Sequence, residues 1–379
     1  MGREGRRGPA ECVQIAAYDN LFYPIPGLVW ASFLKTLLPL MQRPDPRRDA
    51  LLDWLRNDLH LNVETLVTAS SDASFRRYFR FNLGQETRIA MDAPPPQENI
   101  LPFLKTAEIL RARGVRTPKI FAANAELGFM VLSDFGHTAY LDVLNETNVA
   151  PLYGGALDTL FRLQTTENLE GETLDLPCYD EALLRRELGV FREWCIDGYL
   201  GLRLSATEES LLAETFDRLV SAALEQPRVI VHRDYHSRNL MLLADSTPGV
   251  LDFQDAVLGP ITYDLASLLR DCYIAWPLPL ITLWVEQYRQ RLTQAGWIKD
   301  VSETQFRRWF DLMGLQRHLK AAGIFCRLKL RDGKPGYIGD IPRTLAYGLD
   351  VGRDQPDLSA FATFIATRVL PAFLEPQNP

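Results

Sequence analysis

The chain has 379 residues, 47% of them hydrophobic and 23% charged, with a formal net charge of −7. That length and apolar content allow a sizeable core and exclude a disordered chain, while mild acidity argues against a broad nucleic-acid-binding face, which needs clustered Lys and Arg. The five cysteines, Cys12, Cys178, Cys195, Cys272 and Cys326, are odd in number and form no C-x-x-C pair, so neither a disulfide framework nor a zinc site is indicated.

In chain order, residues 1–45 are expected to form an extension. Leu28 to Leu40 is apolar and follows Arg3, Arg6 and Arg7, yet it contains Lys35 and Pro39, lacks a small-residue cleavage site and is too short to span a bilayer. Neither export nor stable membrane association is expected, and Met41 is the favoured translation start, with residues 1–40 as upstream sequence or extension. A compact domain begins at Pro46. Ala50 to Leu55 reads as an amphipathic helix. Glu64 to Ala69, Phe75 to Asn82 and Thr87 to Asp92 read as strands, and Ile100 to Arg113 as a helix stopped by Gly114. Lys119 to Ala122 and Phe129 to Ser133 complete a small sheet. Beyond residue 137 the pattern turns helical, with amphipathic stretches near 150–165, 180–200, 206–225, 278–295, 302–330 and 356–373.

The second half carries the chemistry. His232-Arg233-Asp234-Tyr235-His236-Ser237-Arg238-Asn239 is followed by Leu251-Asp252-Phe253, and Val229 to Val231, Leu240 to Leu243 and Gly249 to Leu251 frame them as short strands. Phosphoryl transfer needs a carboxylate beside the acceptor hydroxyl and oxygen ligands that hold Mg²⁺ against a triphosphate. Asp234 fits the catalytic base. Asn239 and Asp252 fit the metal ligands, at the spacing of the kinase pattern H-R-D-x-x-x-x-N. The fold class expected is therefore α+β and bilobal, protein-kinase-like, with a small β-rich lobe over 46–136, a larger helical lobe over 137–379, and ATP in the cleft between them. Leu132 and Asp134 at the lobe junction are nucleotide-contact candidates, with a plain strand end as the alternative.

These motifs, together with Val250 to Ala256 and Gly259-Pro260-Ile261-Thr262-Tyr263-Asp264-Leu265-Ala266, resemble the aminoglycoside phosphotransferase-like family over roughly residues 48 to 350. Ser70 to Arg80, Met91 to Pro95, and Gln316 to Lys320 with Gly323 to Arg327 and Arg331 to Lys334 resemble, within it, the kinases that phosphorylate N-acetylmuramate and N-acetylglucosamine at C1 in bacterial cell-wall recycling. The resemblance implies an ATP- and Mg²⁺-dependent kinase acting on an amino sugar; the absence of export signals and the need for ATP point to the cytoplasm, and neither a nucleic-acid partner nor an obligate protein partner is expected. An aminoglycoside phosphotransferase and a non-catalytic kinase-like binding module remain the alternatives.

Two departures from the protein-kinase pattern matter. Ala69 to Ser74 replaces a glycine-rich loop, so Ser70, Ser71 and Ser74 are the phosphate-contact candidates, a polar hairpin turn being the alternative. The third strand reads Ile89-Ala90-Met91 where a lysine is usual. Arg76, Arg77 and Arg80 are candidates to neutralise the phosphates instead, Arg76 and Arg80 sharing a strand face. Only eleven residues separate Asp252 from Asp264, too few for a long peptide-docking segment, so a small acceptor is expected. Its contacts would come from His236, Arg238, Asp255 and Arg327, with loop bracing the alternative for His236 and a solvated basic face the alternative for Arg327. Arg343 is a further candidate. Asp264 is read as structural, opening a helix beside the site.

Overall fold

A strand whose alternate side chains are apolar must bury one face, and two strands of the large sheet here, over Ala90–Asp92 and Phe129–Leu132, bury both. In the computed structural model, which describes residues 45–71, 75–166 and 174–374, β1 (Val67–Ser71), β2 (Arg77–Leu83), β3 (Glu86–Asp92), β4 (Ile120–Asn124) and β5 (Phe129–Ser133) form one antiparallel sheet in the order β1-β2-β3-β5-β4. Phe79 pairs with Ala90, and Ile89 with Leu132. Phe79, Phe81, Ala90, Phe129 and Val131 point to one face, where Leu51, Trp54 and Leu55 cover them. Met91, Met130 and Leu132 point to the other, against helix α2 (Leu101–Ala112) and the core of the helical half. Each large apolar side chain buried this way contributes about 1.5–3 kcal/mol.

Residues 1–49 and 50–379 separate as two units. Of the first, only residues 45–49 are described. Pro46 opens α1 (Pro46–Asp53), and the rest of the expected extension lies outside the described residues. The first strand starts later than its apolar pattern predicts, at Val67, with an irregularity between Thr68 and Ser70. Gly114, at φ +70°, ends the α2 segment as expected.

The helical half contains α3 (Val149–Thr165), α4 (Glu181–Val190, continuing in wider winding through Phe191–Tyr199) and α5 (Ala206–Leu224). These are followed by α6 (Tyr263–Leu269), α7 (Leu278–Gln294), α8 (Glu303–Asp332), α9 (Ile341–Asp354) and α10 (Ser359–Phe364). Two hairpin-like pairs sit among them. β6 (Arg228–Val231) pairs with β9 (Val257–Pro260), and β7 (Leu240–Leu242) with β8 (Pro248–Val250). The framing strands match the expectation. β9 and α9 were not expected, because Val257 to Pro260 is too short and glycine-rich to read as a strand and α9 is interrupted by Gly348 and Gly352.

The expectation that residues 302–330 form an amphipathic helix needs correction. α8 is buried nearly all round from Phe306 to Leu328, including Asp311, Gln316, Arg317, His318 and Lys320. Each of these polar side chains makes at least one bond inside the protein. Arg270 binds Asp311 at 2.6 Å, His318 Nε2 lies 2.8 Å from the Arg270 carbonyl, and the His318 ring stacks on Tyr347 of α9 at 4.6 Å.

Candidate active site

Strand β6 ends at Val231, and the chain then makes a turn that side chains from distant helices pin in place. Asp264, in the first turn of α6, accepts the N–H groups of His232 at 2.6 Å and Arg233 at 3.0 Å. Asp271 accepts both the N–H and the hydroxyl of Ser237, at 2.9 and 2.6 Å. The Tyr235 hydroxyl donates to the Ala156 carbonyl at 2.8 Å. These bonds hold Arg233 at φ +79°, a left-handed conformation that a side-chain-bearing residue adopts only when its surroundings impose it. Asp264, expected only as a structural residue opening a helix, is thus also the brace of the loop.

His232 accepts the Asp234 N–H on Nδ1 at 3.2 Å, and burial lowers its pKa to about 4, so the imidazole is neutral. Burial also pushes His236 down, and its ring packs edge-on against Tyr273. Asp234 behaves oppositely. Burial alone would raise its pKa, but the charge of Lys320, followed by those of His236, Arg317 and Arg233, outweighs it and holds the carboxylate at about 2. Asp234 is consequently ionised across the physiological range. Such a weak base orients a hydroxyl by accepting its hydrogen bond and takes the proton late in a reaction.

The Asn239 amide donates to the Asp234 carbonyl at 2.9 Å and lies 3.5 Å from Asp252 Oδ2, while Gln254 holds Asp252 Oδ1 at 2.7 Å. Asp252 stands at φ +61° with its carboxylate exposed. One amide oxygen and one carboxylate side by side form a hard-oxygen donor set that fits Mg²⁺, which takes few protein ligands and completes its shell with phosphate and water.

Two cavities meet at these residues. One, of about 300 Å³, is lined by Tyr78, Ile89 and Leu132 of the sheet, Phe135 and Asp134 at its edge, and Met241 and Phe253 from the helical half. The other, of about 550 Å³, contains Asp234, His236, Tyr263, Tyr273, Arg317, Lys320, Phe325 and Tyr337. Arg238, Asn239 and Asp252 line both.

The structure brings most of the expected residues to this place. Arg80 and Asp134 line the smaller cavity as a forked pair, Nε to Oδ2 at 2.5 Å and Nη2 to Oδ1 at 2.8 Å, with a further bond to the Gly136 carbonyl. Ser70 and Ser71 close strand β1, and Ser74 lies outside the described residues. Arg77 is bound to Asp92, and Arg76 to Glu98 at 3.0 Å. Glu98 precedes α2, and Arg76 lies in the field of Asp255 and Asp252.

Three expected acceptor residues are placed elsewhere. Arg327 does not line the larger cavity. It lies nearly two turns beyond Lys320 at the flank of the cavity-facing stripe of α8, in the field of Arg331, Asp332 and Glu193. Asp255 lines neither cavity, since the turn after Asp252 carries it toward Arg233, whose guanidinium reaches its carbonyl at 3.4 Å. Arg343 is occupied by the Cys272 carbonyl and Asp340.

Sequence reasoning missed a buried hub. Glu187 of α4 receives Arg233 at 2.5 Å, Lys320 at 3.1 Å and Gln316 at 3.2 Å, and also the Tyr179 hydroxyl. Lys320 donates in addition to the Tyr263 hydroxyl at 3.1 Å. The hub sets the charge balance around Asp234. Its signal was the density of charges in Gln316 to Lys320 within an otherwise apolar helix.

A profile of the phosphotransferase enzyme family matches residues 65–299. An N-acetylmuramate/N-acetylglucosamine kinase of Pseudomonas aeruginosa is 47% identical over 80% of this chain and 88% of its own. A Pseudomonas putida protein of the same name is 41% identical over 86% of this chain and 98% of its own. Among solved structures, an ethanolamine kinase of Plasmodium vivax superposes with a TM-score of 0.58 at 13% identity, covering 85% of this chain and 94% of its own, which supports the bilobal fold. A loop braced between two cavities, a family match over residues 65–299 and relatives 47% and 41% identical over 80% and 86% of the chain lead to one conclusion: the chain belongs to the phosphotransferase enzyme family.

Proposed function

We propose that the chain transfers the γ-phosphate of ATP to the C1 hydroxyl of N-acetylmuramate or N-acetylglucosamine in the cytoplasm, where ATP is available. The observation that carries this reading is that Asn239 and Asp252 sit at the seam of the two cavities while Asp234 belongs to the larger one alone. The smaller, apolar cavity then takes the adenine, with Leu132, Asp134 and Arg80 along the lobe junction near Gly136. The larger takes the sugar, and its aromatic residues Tyr273, Phe325 and Tyr337 suit the apolar face of a pyranose.

In the reaction, the C1 oxygen attacks Pγ in line. The O1–Pγ bond forms as the bond from Pγ to the β-phosphate oxygen breaks, ADP leaves, and the hydroxyl proton passes to Asp234. Asn239 and Asp252 would hold Mg²⁺, which when bound offsets the charge of the triphosphate. Strand β3 lines the smaller cavity with Ile89 alone, so Arg76, held by Glu98 and in the field of Asp255 and Asp252, is the candidate for the missing cation. Positioning between the two cavities supplies most of the rate effect, consistent with the weak basicity of Asp234.

The test is Mg-ATP turnover with N-acetylmuramate, N-acetylglucosamine, glucosamine and kanamycin, with the product assigned by phosphorus NMR. A sugar 1-phosphate is expected, and Asp234→Ala should lower kcat by about 10²- to 10⁴-fold. Turnover of kanamycin alone would instead assign an aminoglycoside phosphotransferase, and turnover of nothing a binding module.

A further inference from the structure

The larger cavity is walled by three cations, and their surroundings differ. Lys320 is buried with its ammonium on Glu187 and Tyr263. Arg317 is buried against Cys272 Sγ at 3.6 Å, in the field of Asp234 and Asp271. An acidic ligand group approaching either of them would meet carboxylates already there. Arg238 is exposed at the rim, and no carboxylate among the described residues forms an ion pair with it. Its guanidinium lies over the ring of Tyr273 at 4.3 Å and over that of Tyr337 at 5.4 Å, and Tyr337 is itself stacked on Phe325. Rings against the face of a planar guanidinium fix its orientation and keep its in-plane N–H edge for hydrogen bonding, the arrangement that suits a two-oxygen anion.

Resting on the amino-sugar kinase reading above, the geometry points to Arg238 as the residue that reads an acidic substituent on the acceptor: the ether-linked carboxylate at C3 that N-acetylmuramate carries and N-acetylglucosamine lacks. The arginine is a specificity determinant, held in place by tyrosines from two separate segments. The sugar without the carboxylate still enters, because no buried charge depends on Arg238 having a partner.

The experiment is steady-state kinetics of the wild type, Arg238→Met and Arg238→Lys on N-acetylmuramate, its methyl ester and N-acetylglucosamine. In Arg238→Met the ratio of kcat/KM for N-acetylmuramate over N-acetylglucosamine is expected to fall about 10- to 100-fold, the range of a charge-assisted contact, mainly through KM. Arg238→Lys should retain part of the preference. The wild type should separate acid from ester by a similar factor, and Arg238→Met should not separate them. A parallel loss on both sugars, a loss of ADP affinity, or acid–ester discrimination that survives in Arg238→Met overturns the assignment to the carboxylate. Wild-type turnover of neither sugar overturns the kinase reading itself, a different result from any of these.

Discussion

The two cavities are built in contrasting ways. The smaller is walled on one side by strands and their ends, whose placement follows from period-two alternation, and on the other by Met241 and Phe253 of the helical half, and its one forked ion pair, Arg80 with Asp134, is largely buried at the lobe junction. The larger is walled by the catalytic loop, by α8 and by the short segment Pro335–Asp340, brought together from positions 100 residues apart. One of its cations, Lys320, is buried and shares the carboxylate of Glu187 with Arg233 behind the cavity wall. The first arrangement makes a contact surface that tolerates local change. The second ties the chemistry of Asp234 to the stability of the helical half, because the cations that depress its pKa are the ones the core must keep paired.

Breaking the hub is the sharpest test of that contrast. Glu187→Ala would leave Arg233 and Lys320 without their shared carboxylate and should cost about 3–5 kcal/mol of stability, measured by urea unfolding. A loss under 1 kcal/mol would show that the hub relaxes or hydrates, and the contrast would collapse.

Acid should act on the same half. His232 and His318 are buried neutral, with pKa values lowered by burial from 6.5 to about 4 and about 3. Because the unfolded chain then binds protons that the folded chain does not, their contribution is complete above pH 6.5 and is lost as pH falls toward 4. For His232 this amounts to at most about 3 kcal/mol. Hydrogen exchange at moderately acid pH should report opening of the catalytic loop before the sheet. Simultaneous opening of both would mean that the two halves share one cooperative unit.

The smallest effect is expected in the smaller cavity. A Cβ on Gly249 would meet the Phe135 ring at 2.6 Å, so Gly249→Ala should push that ring into the nucleotide space. KM for ATP should rise roughly 3- to 10-fold, the low end of an overpacking cost because the ring is half exposed, while KM for the sugar stays the same. A change in the sugar KM instead would place Phe135 differently from the geometry described here.

Much of this was legible in the sequence, and the reasons are local. That Asp234, Asn239 and Asp252 would come together could be read because the kinase pattern sets them at short fixed spacing, and their strands were readable because apolar runs flank them. Leu132 and Asp134 were readable from the end of a strand. Arg327 and Asp255, which do not line the larger cavity, could not be placed for the opposite reason: a charge near a motif says nothing about which way a helix or turn faces it.

What the sequence by itself determined is the reaction class and the bilobal α+β architecture, since hydrophobic periodicity and motif spacing act over a few residues and survive without knowledge of neighbours. Only the tertiary structure decided which charges are neutralised. Glu187, Arg233 and Lys320 are 46 and 133 residues away from one another in the first and second pairs, yet within hydrogen-bonding distance in space. Coulomb energy depends on separation and burial, which packing alone sets, so the depressed basicity of Asp234 and the tyrosine seat of Arg238, without an ion-paired carboxylate among the described residues, became visible only when the helices were in place.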